Sequence, residues 1–178
     1  MIPIKVTKIA YHAESRSYAI TLKEITGNKK IPLIVGSYEA QSIALAIESV
    51  DTPRPLTHDL ICNIISGVDG DLKNARIYDI KEGVFFAQLD IHSKIFGKKI
   101  IDSRPSDAIA VALRMKKPIL VSKKVFDEAG FIENDNNINA KKTDLSIDEL
   151  NEKLKTAIDK ENYEIAAKLR DKISELKS

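Results

Sequence analysis

The feature that most constrains the fold is a period-two alternation running through the first thirty-five residues. Ile2, Ile4, Val6 and Ile9 form one run, Tyr18, Ile20 and Leu22 a second, and Ile31, Leu33 and Val35 a third, with Gly27-Asn28 between the last two. Successive side chains of a strand point to opposite faces, so each run makes one dry and one wet face, and Gly-Asn supplies a turn. An antiparallel meander is expected.

The same reasoning extends along the chain. "LKNARIYDIKEGVFFAQLDIH" holds two alternating runs joined at Lys81-Glu82-Gly83, where glycine can take a positive φ, and predicts a hairpin. "KKIIDS" reads as a further strand and "PILVS" as a short buried one. Helix signals are interleaved with these strands. "SYEAQSIALAIESV" starts at Ser37 and places Ile43, Ala44, Ile47 and Val50 on one stripe; Thr57 is the expected cap of a second helix ending near Gly67 or Gly70. Long hairpins imply antiparallel pairing. The expected class is therefore α+β: mixed, largely antiparallel sheets packed with helices, plus a C-terminal α-helical hairpin.

That last element follows a change of composition. "GFIENDNNINAKKTD" is dominated by Asn and Asp without periodicity and reads as a linker. Beyond it, Leu150, Leu154, Ala157 and Ile158 form one apolar stripe, and Ala166, Leu169, Ile173 and Leu176 another, broken near Lys160 to Tyr163. Two short helices folded on each other fit this pattern. The expected division is a domain over 1–130, a linker over 131–145 and a helical hairpin over 146–178. Narrow stripes on so short a unit need a partner surface, and the meander leaves sheet edges that need cover. A homodimer through the first domain, with the tail engaging another protein, is expected.

Charge limits the function classes. Against 28 basic residues stand 26 acidic ones, a net +2, so the whole chain lacks the positive field that attracts nucleic acid, and such a reading must rest on local features. The single cysteine, Cys62, excludes an internal disulfide, and its apolar neighbours suggest a buried spectator thiol. No run nears a membrane span and no leader pattern opens the chain, so a soluble, cytoplasmic protein without membrane association is expected. HExxH, paired Cys-x-x-Cys, a glycine-rich phosphate loop and a Gly-x-Ser-x-Gly elbow do not occur.

Two charged helix starts stand out instead. In "DSRPSDAIAVALRM", Ser103 can cap, Pro105 suits the first turn and Asp107 complements the helix dipole, but Asp102 and Arg104 have no such role. "TPRPLTHDL" repeats Arg-Pro, a hydroxyl residue and an aspartate ahead of an apolar helix. The two starts could converge on one pocket that presents Arg54, Arg104 and free N–H groups to an anion such as phosphate. Imidazole titrates near neutral pH, so His58 is a candidate general base or metal ligand. Asp59, Asp79, Asp90, Asp102 and Asp107 offer oxygen ligands for magnesium but match no metal box. A buried ion-pair network of Asp102, Arg104 and Asp107 is the structural alternative.

In order and spacing, "IPLIVGSYEAQSIALAIE", "PRPLTHDL", "ARIYDIKEGVFFAQLDI" and "IDSRPSDAIAVALRMKKPILV" resemble the bifunctional nuclease domain family, small α+β proteins credited with DNase and RNase activity. The tail "ENYEIAAKLRDKISEL" resembles the UVR motif through which the excision-repair proteins UvrB and UvrC associate. The resemblance implies a nuclease, a hydrolase of DNA and RNA, with a protein-interaction tail. It maps the family's characteristic polar positions onto Arg54, His58, Asp59, Asp102, Arg104, Ser106 and Asp107. In the role assignment built on it, Asp102 and Asp107, with Asp59, hold a divalent cation, Mg2+ or Mn2+. His58 activates water, Arg54 and Arg104 neutralise the phosphate, and Ser106 contributes to substrate binding. The alternative is a non-catalytic phosphate or nucleic-acid binding module docked to a partner through the tail.

Overall fold

The computed structural model describes residues 1–13 and 15–132. The expected helical hairpin of 146–178, and the linker from residue 133 onward, lie outside the described residues.

The N-terminal alternation becomes three antiparallel strands, β1 (Ile2–His12), β2 (Ser17–Glu24) and β3 (Lys29–Val35). Ile20, Leu22, Ile31, Leu33 and Val35 are buried on one face, as the period-two pattern requires. Helices α1 (Ser37–Ile47) and α2 (Thr57–Gly67) follow, then the hairpin β4 (Gly70–Lys81) and β5 (Val84–Ser93). Its turn is Glu82-Gly83, both at positive φ (51° and 78°), the twist that suits a two-residue hairpin loop. Strand β6 (Gly97–Ser103) runs directly into α3 (Pro105–Arg114). The chain continues through β7 (Ile119–Val121), α4 (Lys123–Ala129) and β8 (Phe131–Ile132).

One sheet of the order β6-β5-β4-β7-β1-β2-β3-β8 contains all these strands. β7 joins the two halves: Ile2, Pro3 and Ile4 pair antiparallel with Val121, Leu120 and Ile119, while Ala75, Arg76 and Ile77 pair parallel with Ile119, Leu120 and Val121. That parallel pairing is made by an otherwise antiparallel sheet, and the expected mixed α+β class stands for the described residues.

The differences from expectation are local. β8 pairs with Lys29 and Lys30, so Phe131 and Ile132 belong to the sheet and not to a linker. On α1 the buried positions are Ala40, Ser42 and Ile43, while Ile47 and Val50 are exposed, because the face turned inward packs on α3 and the helix stops at Ile47. Neither expected cap is used. Leu56 and Arg104 occupy the N-cap positions of α2 and α3, and Thr57 is already the first helical residue. Ser103 remains in β6, its buried hydroxyl without a hydrogen-bond partner.

Alternation in β4 breaks twice, yet its inward face stays apolar. Bulges between Leu72 and Asn74 and between Ile77 and Asp79 each insert an extra residue, so Leu72, Ala75, Ile77 and Ile80 all point into the core. Against this sheet lies α3, packed on α1, α2, β4 and β5, with Ala108, Ile109, Ala110, Val111 and Ala112 buried. Its alanines let neighbouring elements approach closely, which brings the starts of three helices together.

Candidate functional site

The site is built where α1, α2 and α3 meet. A cavity of about 510 Å³ opens there, with Ser42 and Glu39 from α1, His58 from α2 and Arg104 and Asp107 from the start of α3 on its wall, and Tyr38, Leu45 and Ile61 as apolar lining.

His58 is on its wall, mostly buried, with both ring nitrogens engaged. Nε2 is 3.1 Å from Asp107 Oδ1 and Nδ1 is 2.8 Å from Ser42 Oγ. A carboxylate only accepts, so Nε2 carries the proton on the Asp107 side; in the neutral ring Nδ1 is then the acceptor, and the Ser42 hydroxyl donates to it. Burial pushes the Asp107 carboxyl up, but bonds from Arg104 and His58 outweigh burial and hold it below the usual carboxylate range. Asp107 is thus ionised and orients the ring.

Arg104 closes one side. Its Nε donates to Asp107 Oδ2 at 2.6 Å, Nη2 to Asp107 Oδ1 at 3.0 Å, and Nη1 to Glu39 Oε1 at 3.0 Å. Arg104 and Glu39 also border a second hollow of about 340 Å³, into whose wall Ser106 is built. Ser106 is therefore near the site but on the other side of this ion pair.

A second guanidinium supports the wall from behind. Arg114 donates through Nε to Asp59 Oδ1 at 2.6 Å, and through Nη1 to the carbonyls of Ser42 and Ala110, each at 3.1 Å. The other oxygen of Asp59 accepts from the Leu56 N–H at 2.9 Å and caps α2 in place of Thr57. Burial raises the Asp59 carboxyl, and the Leu56 N–H and Arg114 more than offset it, leaving it lowered. Cys62, behind the same helices, is half-buried, with its thiol pushed up by burial and pointed at the Val111 carbonyl, 3.9 Å away. This suits a spectator.

Of the residues expected from sequence, His58, Arg104 and Asp107 come together, Ser106 flanks them, and Asp59 sits one layer behind. Arg54 and Asp102 do not join them. Arg54 is exposed and off the cavity wall, and Asp102 is exposed on β6, opposite Gln88 of β5. The expected buried network of Asp102, Arg104 and Asp107 does not form: Arg104 pairs with Asp107 and Glu39, and its side chain is 65% exposed, because it sits at the mouth of the helix start and not beneath it. Ser42, Glu39 and Arg114 were not among the expected residues. Nothing in their spacing marks them, because each sits inside a helical run and acquires its partner from another helix.

The three-carboxylate cation site is not assembled. Asp59 and Asp107 each commit both oxygens to N–H donors, Asp102 stands apart, and among the described residues no group of three or more His, Cys, Asp or Glu is placed to hold a metal ion. Among the described residues, no member of the lysine pairs lines the cavity. Lys98, Lys117 and Lys124 are paired with Asp90, Asp71 and Asp79.

Comparison with known proteins identifies the family of the chain. The bifunctional nuclease domain model matches residues 20–134, and the UvrB/uvrC motif model matches residues 144–178. The uncharacterized protein Rv1829 of Mycobacterium tuberculosis is 37% identical over 157 residues, covering 88% of this chain and 92% of that protein. Bifunctional nuclease 2 and Bifunctional nuclease 1 of Arabidopsis thaliana are 27% and 25% identical over 184 and 183 residues, covering 90% of this chain and 56% of each plant protein. This chain thus spans little more than half of either plant relative. With a family model matching most of its length, the chain belongs to the bifunctional nuclease domain family and carries a UvrB/uvrC motif at residues 144–178.

Proposed function

We propose that the chain hydrolyses phosphodiester bonds of DNA and RNA at the cavity between the starts of α1, α2 and α3. The observation that carries this reading is His58, held between an ionised Asp107 and a hydroxyl at hydrogen-bond distance. A base so oriented can take a proton at a phosphate ester and return it to the leaving oxygen. Arg104 spends three of its five N–H groups on Glu39 and Asp107, so two remain to receive phosphate oxygens. Family membership and the names of the plant relatives support the substrate class. No step is routed through a protein-held Mg2+ or Mn2+, because the expected ligands do not gather.

The test is cleavage of single-stranded DNA, duplex DNA and RNA by the purified full chain, with magnesium, manganese or EDTA, beside His58→Ala and Asp107→Asn prepared identically. Loss in both variants supports the reading, and full activity in His58→Ala overturns it.

A second reading has its own support. Arg104 is shared by two carboxylates, and Lys98, Lys117 and Lys124, one lysine of each described pair, are ion-paired with aspartates, as befits a phosphate or nucleic-acid binding module that does not cut. Oligonucleotide binding that is unchanged in His58→Ala, without cleavage by either protein, would favour it. On both readings residues 1–130 form the acting unit, and residues 146–178 dock a protein partner, in keeping with the UvrB/uvrC match. A homodimer belongs to the same proposal: Leu60 and Ile64 of α2 are 54% and 56% exposed, an apolar surface that a second copy would cover. A monomeric mass in sedimentation equilibrium would overturn that part.

A further inference from the structure

We infer that Ser42 is the nucleophile of this site, activated by His58 and Asp107, so that phosphodiester cleavage passes through a covalent seryl intermediate. This rests on the hydrolytic reading above and names the group that attacks.

The argument starts from the occupancy of His58. Asp107 holds Nε2–H, which leaves the Nδ1 lone pair as the ring's one basic position, and that lone pair is aimed at Ser42 Oγ 2.8 Å away. A water could be activated by His58 only after displacing this hydroxyl. The proton within reach without any movement is that of Ser42. A base whose far side is oriented by a carboxylate and whose near side takes a hydroxyl proton is the arrangement by which serine becomes a nucleophile.

The placement of Ser42 agrees. It is the sixth residue of α1, is 8% exposed, and lines the cavity. Serine inside a helix commonly turns its hydroxyl back to its own helix. Here the hydroxyl crosses to α2 instead. The Ser42 carbonyl accepts from Arg114, which fixes the backbone that carries the hydroxyl. Arg104, three hydrogen bonds round the same network, supplies positive charge on the same wall.

In the first step Ser42 Oγ bonds to phosphorus and the bond from phosphorus to one nucleoside oxygen breaks. The hydroxyl proton passes to His58 Nδ1 and then to that leaving oxygen. In the second step His58 takes a proton from water, the water oxygen bonds to phosphorus, and Ser42 Oγ leaves and recovers the proton. Atoms and charge balance with water as the co-reactant. The structural alternative is that the Ser42–His58 bond only fastens α1 to α2.

The two are separated by treating the full chain with a fluorophosphonate probe, locating the adduct by peptide mass spectrometry, and measuring nucleic-acid cleavage by the wild type and Ser42→Ala with magnesium, manganese or EDTA. Circular dichroism checks that each variant is folded. The expected result is an adduct on Ser42 that is absent in His58→Ala, with cleavage by Ser42→Ala reduced at least about 100-fold. An adduct on Ser42 in a protein that cuts no nucleic acid would keep the nucleophile and overturn the nuclease reading. Wild-type cleavage by Ser42→Ala would overturn the nucleophile and leave the nuclease reading standing, whether or not the probe reacts. Absence of both adduct and cleavage would overturn both.

Discussion

Arg114, at the end of α3, donates to Asp59, at the start of α2, across 2.6 Å, and the same guanidinium holds the carbonyl of Ser42 on α1. Three helices are tied by one side chain that is 11% exposed.

Removing it should therefore be costly. In Arg114→Met the aliphatic length is kept, but the Asp59 carboxylate and two carbonyls lose their donor. Asp59 is 33% exposed, so water recovers part of the loss, and about 2 kcal/mol is expected, less than for a fully buried pair. Urea denaturation measures it, and a change under about 0.5 kcal/mol, the range of ordinary surface substitutions, would show that the helices do not depend on this tie.

Glu39→Gln should strengthen phosphate binding. Glu39 occupies Arg104 Nη1 at 3.0 Å and places a negative charge on the cavity wall. Replacing the carboxylate by an amide removes the charge and leaves a weaker, neutral acceptor for Arg104. Fluorescence anisotropy with a short single-stranded oligonucleotide should give binding about 2- to 10-fold tighter, with the gain shrinking as salt is added. Weaker binding would mean that Glu39 holds Arg104 in its productive position.

Acid should loosen the fold through Asp59 and Asp107. Both carboxyls are lowered in the folded chain relative to an unfolded value of about 3.9, so their stabilisation is fully present above that value and is lost as pH falls through their lower folded values. Stability from urea titrations should hold from neutrality to about pH 5 and decline below about pH 4, with a shallower decline in Asp59→Asn. A decline that begins near pH 6 would instead point to histidine.

Gly83→Ala tests the hairpin alone. Gly83 sits at φ 78°, and a Cβ there would meet nothing within 4 Å, so the cost is conformational and not steric crowding. About 1 kcal/mol is expected from thermal unfolding, with cleavage unchanged.

These predictions draw on features of unequal visibility in the sequence. The hairpin was legible because a turn and its flanking strands are set within a few residues: Lys81 pairs with Val84, and glycine supplies the φ that the turn needs. The bulged phase of β4 was not legible, since "LKNARIYDIK" reads as simple alternation until β5 shows where two residues face one. Pairing of β7 with both β1 and β4 was likewise hidden, because three residues carry no record of which strands they will lie between.

The candidate site divides in the same way. From the sequence alone came the α+β class, the N-terminal meander, the first three helices and the two charged helix starts, all of which rest on periodicity, turn chemistry and end effects acting over one or two turns of chain. Only the tertiary structure decided that His58 meets Asp107 from 49 residues away and Arg114 meets Asp59 from 55, that Ser42 and Glu39 enter, and that Asp102 and Arg54 stay outside. Side chains at such separations are joined by how α1, α2 and α3 pack on one another and on the sheet. That packing sums many small contacts spread over the whole core, and no short stretch of sequence contains it.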